Sequence, residues 1–170
     1  SADLGLSDAA YAAGAGIFFV GYFLFEVPSN LALARFGARR WIARIMVSWG
    51  LVSAGTMAVS DETAFLVMRF LLGLAEAGFF PGIIYYLTLW YPPALRARAV
   101  ALFMAATPVA GFIGAPLSGV LLGLDCLSGL SGWQWMFLLE GLPAVLLGLS
   151  VLRLLPDGPH DAHWLSPPDR

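Results

Sequence analysis

The amino-acid sequence predicts an all-α membrane protein with five transmembrane helices. Hydrophobic residues make up 59% of the 170 and charged residues only 12%, whereas a soluble domain carries about 25% charged residues. The apolar residues collect in five runs, 9–33, 41–59, 64–90, 99–124 and 133–155, and roughly 20 apolar residues suffice to cross the hydrocarbon core. All nine basic residues are arginine, and every one except Arg69 lies in or beside alternate connectors.

The first run, 9–33, holds Tyr22 and Glu26 one helical turn apart, with Pro28 just beyond. Glu26 reads either as a second titrating acid or as the partner of a helix or loop arginine. The connector 34–40 carries Arg35, Arg39 and Arg40, and Arg44 follows closely. The second run, 41–59, opens on Trp41 and is followed by Asp61 and Glu62 in the connector 60–63. The third, 64–90, is almost wholly apolar except for Arg69 and Glu76. Arg96 and Arg98 sit in the connector 91–98, and the fourth run, 99–124, contains Thr107 beside Pro108. The connector 125–132 carries Asp125 and no basic residue. The last run, 133–155, contains Glu140, for which helix packing or capping of a freed backbone group is the expected role.

Trp41, Trp90, Trp133 and Trp135 stand at run ends, where amphipathic rings prefer the headgroup region. Pro28, Pro81, Pro108, Pro116 and Pro143 lie inside runs, where each removes a backbone donor and bends the helix. The small residues from Gly111 to Gly119 predict a tightly packed helix face. Phe79, Phe80, Tyr85 and Tyr86 are expected to be packing residues.

Arg69 and Glu76 are the chemically telling pair. Seven residues make about two helical turns, so Arg69, Gly73, Glu76 and Phe80 are expected on one face. A charge at the bilayer centre costs roughly 2.5–3.5 kcal/mol on insertion scales. Two such groups must therefore point into a bundle or a watery cavity. They read as a binding and proton-coupling site for an anion, or as a buried structural ion pair that locks two helices together.

Eight arginines lie on one side of the predicted membrane and none on the other, which puts the arginine-rich side in the cytoplasm. Residues 1–8 then face outward and residues 156–170 form a cytoplasmic segment after a bundle spanning 1–155. The chain opens with Ser1-Ala-Asp-Leu, without an initiator Met or a signal peptide. A fragment is therefore expected, with at least one span upstream. The single cysteine, Cys126, rules out an internal disulfide, and His160 and His163 lie outside the runs. No metal site and no cofactor is expected. Glu26, Glu76 and Glu140 fall on different runs with no catalytic motif around them, so an enzyme is not expected either. A channel or a non-transporting scaffold is compatible with this composition.

Several segments carry a resemblance. Ala34-Arg-Phe-Gly-Ala-Arg-Arg40, with Arg35, Gly37, Arg39 and Arg40, resembles the cytoplasmic loop motif between the second and third helices of major facilitator superfamily transporters. Asn30 and Ala34 replace the Gly and Asp common in that motif. Arg69-Phe-Leu-Leu-Gly73 resembles the fourth-helix arginine motif, and Gly111 to Gly119 the glycine-proline motif of the fifth helix. Gly21-Tyr-Phe-Leu-Phe-Glu-Val-Pro-Ser-Asn30, Gly132-Trp-Gln-Trp-Met-Phe-Leu-Leu-Glu-Gly-Leu-Pro143 and Trp164-Leu-Ser-Pro are similar to the anion:cation symporter branch, whose members take up organic acids.

The resemblance implies helices 2–6 of a twelve-helix fold, with residues 156–170 at the start of the central loop. It implies an inner-membrane symporter that moves a small organic anion with protons, completed by a first helix and a carboxyl-terminal half. It gives Arg69 to the substrate, with Tyr22 and Thr107 toward the cavity, and Glu76 to proton coupling. Deprotonated Glu76 is then expected to hold Arg69, and protonation to free it for a carboxylate. A drug or metabolite antiporter is the alternative within transporters. In the superfamily the Asp of the loop motif helps latch the cytoplasmic side against the carboxyl-terminal half, so a charged latch of that kind is not expected here. Arg35, Arg39 and Arg40 remain available to bind anionic lipid or that half, or to serve as topogenic charges.

Overall fold

The Ser7 hydroxyl accepts the Ala10 N–H at 3.1 Å and starts the first helix. In the computed structural model, which describes residues 7–123 and 129–162, six helices follow in order. They are α1 (Asp8–Phe36), α2 (Ala38–Gly55), α3 (Glu62–Glu76), α4 (Phe79–Trp90), α5 (Pro93–Leu122) and α6 (Gly132–Leu154). The expected outward tail 1–6, Cys126, His163, the Trp164-Leu-Ser-Pro segment and Arg170 lie outside the described residues.

Four spans are long and apolar enough to cross a membrane: α1, the stretch 62–90, α5 and α6. The fifth, α2, has 18 residues and carries Arg39, Arg40 and Arg44 in its first two turns. It also packs against α1, α3, α4 and α6, so protein rather than lipid covers much of its surface.

Two predicted boundaries move. The connector 34–40 is helical except at Gly37, whose φ of +88° turns the chain from α1 into α2 within one residue. Only glycine adopts that conformation without strain. The third run is two helices, not one. Pro81 has no N–H for the Ala77 carbonyl and its ring would clash with that oxygen. The chain yields at Ala77 (ψ 128°) and Gly78 (φ +84°). Pro28, Pro108, Pro116 and Pro143 sit within unbroken helices; only Pro81 has a glycine three residues before it to absorb the break. The break removes Phe80 from the face shared by Arg69, Gly73 and Glu76. Phe80 packs instead on Phe103 of α5, with ring centroids 5.8 Å apart.

Close approaches hold the helix pairs. On α1 and α3, a Cβ at Gly73 would collide with the Phe18 carbonyl, and one at Gly21 with that of Phe70. On α2 and α6, a Cβ at Gly50 would lie 2.7 Å from the Gly141 carbonyl oxygen, and one at Gly141 equally close to that of Gly50. By contrast α5 packs mainly on α4 and α6, and no described neighbour lies within 4 Å of the Cβ positions of Gly111, Gly114 or Gly119. Among the described residues the expected tight packing at these glycines is not formed; α6 meets this segment through Ser118. Glu140 ties α6 to α5 by accepting the Ser118 hydroxyl at 2.7 Å.

The arginine-rich end is tied together from a distance. Gly37 offers α2 no side-chain cap, and Asp157, beyond α6, takes that place. Its Oδ1 accepts the Arg39 N–H at 3.1 Å and its Oδ2 lies 3.4 Å from the Arg39 guanidinium. Tyr86 Oη donates to the neighbouring Pro156 carbonyl at 3.0 Å. Asp157 thus ties the segment after α6 to the start of α2, 118 residues away in sequence. Asp157→Ala is expected to lower stability by about 1 kcal/mol, the usual cost of a lost cap, with Asp157→Asn costing less. Thermal unfolding of the purified full-length protein checks this, and equal melting of all three forms would show the cap to be dispensable.

Candidate functional site

The α1–α3 crossing positions most of the expected site. Gly21 and Gly73 bring the two backbones together, and the side chains around that contact are Tyr22 and Glu26 from α1 and Glu76 from α3. Tyr22 lies close enough to feel the charges of both Glu26 and Glu76. Three of the predicted residues thus form one cluster. Glu26 makes no ion pair with an arginine among the described residues, so its expected arginine partner is replaced by the neighbourhood of Tyr22.

Arg69 stands about two turns from Glu76 along α3. Its Cγ approaches Gly14 of α1, and its guanidinium lies 5.5 Å from the centre of the Phe65 ring, which stacks on Tyr11 at 6.1 Å. The Arg69 Nε is buried and has no hydrogen-bond partner. Arg69 and Glu76 do not pair: about 10 Å of helix rise separates their backbones, and aromatic rings occupy the space beside the arginine. The expected carboxylate–guanidinium contact is therefore absent, leaving a cation with an unsatisfied donor in an apolar span.

Thr107 is exposed on α5, and α5 is not packed against α1 or α3 beyond weak contact; the structure does not bring it to Arg69. Arg35 is exposed with its guanidinium 5.7 Å from the Phe36 ring centre, Arg40 is exposed, and Arg39 meets Asp157. Arg96 closes the end of α4 by donating to the carbonyls of Thr88 and Tyr91. Hollows of about 550 and 480 Å³ lie at the ends of α4 and α6, walled by Trp90 with His160 in one and Tyr86 in the other. Neither includes Arg69 or Glu76.

Sequence reasoning missed two residues beside this cluster. Ser29 is 5% exposed, and its hydroxyl donates to the Ala77 carbonyl at 2.7 Å. Trp41 donates its indole N–H to the same hydroxyl at 2.9 Å. The ring of Trp41 is half-buried between Phe36 and Arg44, 5.7 and 4.3 Å away, so it makes a specific interior contact at the start of α2. The signal in the sequence was Pro81, which guarantees that the Ala77 carbonyl lacks its helical donor. An unpaired buried carbonyl costs about 1–3 kcal/mol, so some group had to meet it.

Comparison with known proteins gives a consistent picture. The family model of the Major Facilitator Superfamily matches residues 1–170. A metabolite transport protein of Pseudomonas putida, provisionally assigned, is 57% identical over 99% of this chain and 39% of its own length. A protein of Agrobacterium vitis, provisionally assigned as a tartrate transporter, is 56% identical over 99% of this chain and 37% of its own. A quinolone resistance transporter of Acinetobacter baumannii is 52% identical over 97% of this chain and 38% of its own. The chain therefore spans under two fifths of the length of these relatives. The crystal structure of a bacterial homolog of the human lysosomal transporter Spinster, inward-facing and unoccupied, superposes with a TM-score of 0.76 at 21% identity. It covers 99% of this chain and 40% of that one.

Proposed function

The chain belongs to the major facilitator superfamily, a multi-pass membrane fold, and we propose that it supplies the anion site and the coupling acid of a proton-coupled organic-carboxylate symporter. The observation that carries this reading is Arg69: a buried guanidinium nitrogen without a partner, on an apolar span, on the same helix as Glu76. Its planar fork suits a carboxylate in two-point contact. The Agrobacterium vitis relative provisionally assigned to tartrate supports an organic acid as cargo.

Coupling in this reading acts through space. A substrate carboxylate on Arg69 sits about 10 Å from Glu76, a repulsion of about 1.7 kcal/mol at an effective dielectric of 20. A proton on Glu76 removes it, so each ligand favours the other roughly 17-fold, with no direct Arg69–Glu76 bond. Tyr22 and Glu26 line the same level, and Thr107 joins only if α5 is brought toward them in the whole transporter. The quinolone resistance relative favours a second reading, a drug or metabolite antiporter built on the same residues. Counterflow separates the two: in vesicles of the full-length protein, an inward proton gradient accumulates an organic acid in a symporter and depletes it in an antiporter.

The proposed topology places residues 1–8 outside and residues 156–170 in the cytoplasm of the inner membrane, where they begin the central loop after the 1–155 bundle. Ser60 and Ala97 are both exposed and lie at opposite ends of the stretch 62–90. Ser60→Cys and Ala97→Cys are expected to react with an impermeant thiol reagent from opposite sides. Labelling from one side overturns the orientation.

A further inference from the structure

Glu76 is the last residue of α3, and no described side chain hydrogen-bonds or ion-pairs with its carboxyl. Its carboxyl stands on the last helical residue before the chain leaves α3. The backbone that follows is the break at Ala77 and Gly78, where Pro81 has taken away the donor for the Ala77 carbonyl. The Ser29 hydroxyl replaces that donor from α1, and the Trp41 indole N–H from α2 fixes which way the hydroxyl points. A Cβ at Gly78 would collide with the Ser29 Oγ, so the approach leaves no slack. We propose that Ser29, oriented by Trp41, is a positioning residue for Glu76: it closes the break and so sets the level and direction of the carboxyl. The proposal rests on the coupling role given to Glu76 above.

The arrangement makes three spans converge on the residue after the acid. Ser29 follows Pro28 on α1, Trp41 lies in the first turn of α2, and Ala77 is the capping residue just after α3. A hydroxyl with one donor and two lone pairs is the smallest group that donates to a carbonyl while accepting from an indole. Alanine loses both bonds, and threonine keeps them. The other ionisable groups on the packed elements are Asp8, Tyr11, Tyr22, Glu26 and Arg35 of α1, Arg39, Arg40 and Arg44 of α2, Glu62 and Arg69 of α3, and Tyr85 and Tyr86 of α4. Arg44 is stacked on Trp41 and Tyr86 is bonded to Pro156, so a change at Ser29 reaches Glu76 through the backbone and not through a lost charge.

The test uses the full-length protein in vesicles, with the infrared carboxyl band of Glu76 assigned by its loss in Glu76→Gln. Ser29→Ala is expected to move the midpoint of that band's titration by about half a pH unit or more, and the pH profile of uptake with it. Trp41→Phe is expected to move both in the same sense by less, and Ser29→Thr to restore them. If Ser29→Ala does not fold, Trp41→Phe alone decides, since it leaves the hydroxyl in place. An unchanged midpoint, or a shift that Ser29→Thr does not reverse, overturns the proposal. Uptake driven by a pH gradient that survives Glu76→Gln removes the coupling role instead, and the infrared midpoint still reports whether Ser29 sets the carboxyl.

Discussion

Arg69→Ala is expected to cut uptake of an organic carboxylate by roughly a hundredfold or more, while the protein still inserts and melts normally. Hydrogen bonds to a charged partner contribute about 1.5–3 kcal/mol each, and a carboxylate on the guanidinium fork would make two. Arg69→Lys keeps the charge but loses the second bond, so a loss of about tenfold is expected. Normal insertion follows from the geometry. Among the described residues Arg69 holds no carboxylate, and its Nε is already without a partner, so its removal strands no described opposite charge. The check is radiolabelled uptake by equal amounts of wild-type and variant protein in vesicles, beside thermal unfolding. Wild-type uptake by Arg69→Ala removes Arg69 from the substrate site.

Glu76→Gln is expected to abolish accumulation driven by a pH gradient while leaving exchange of labelled for unlabelled substrate. Glutamine matches a protonated glutamate in shape and cannot release a proton. Breaking a buried ion pair costs about 3–5 kcal/mol because it leaves a charge uncompensated. No such pair exists between Arg69 and Glu76, so Glu76→Gln is expected to reach the membrane at normal levels. Poor insertion of this variant, with Arg69→Ala inserting well, would point to a structural role for the acid. Retained pH-driven accumulation would remove Glu76 from coupling.

The sequence was most legible where the physics is local. Mean hydropathy and arginine placement are summed along the chain, and they marked the spans to within a few residues. The exceptions are instructive. Gly37 turned a predicted seven-residue connector into a single residue, since one positive φ suffices to reverse the chain. Pro81 was read as a bend, but its pairing with Gly78 made it a break. That break moved Phe80 away from the Arg69 face and onto Phe103. Residues Arg69 and Glu76 stayed on one helix as expected, because their seven-residue spacing ends just before the break.

What the sequence by itself determined is the membrane class, the alternation of charged and apolar segments, and the presence of one cation and one acid within a single span. Those properties depend on composition and on periodicity over a few turns. The tertiary structure alone decided which groups meet. Ser29 reaches a carbonyl 48 residues away and Asp157 caps a helix 118 residues upstream, and no local pattern encodes either contact. The contact of Arg69 with Phe65 is by contrast local, one turn apart on α3, while the approach of Gly14 on α1 to both side chains is a product of helix packing. A freed carbonyl is written in the position of a proline; the hydroxyl that satisfies it is chosen by how the helices pack.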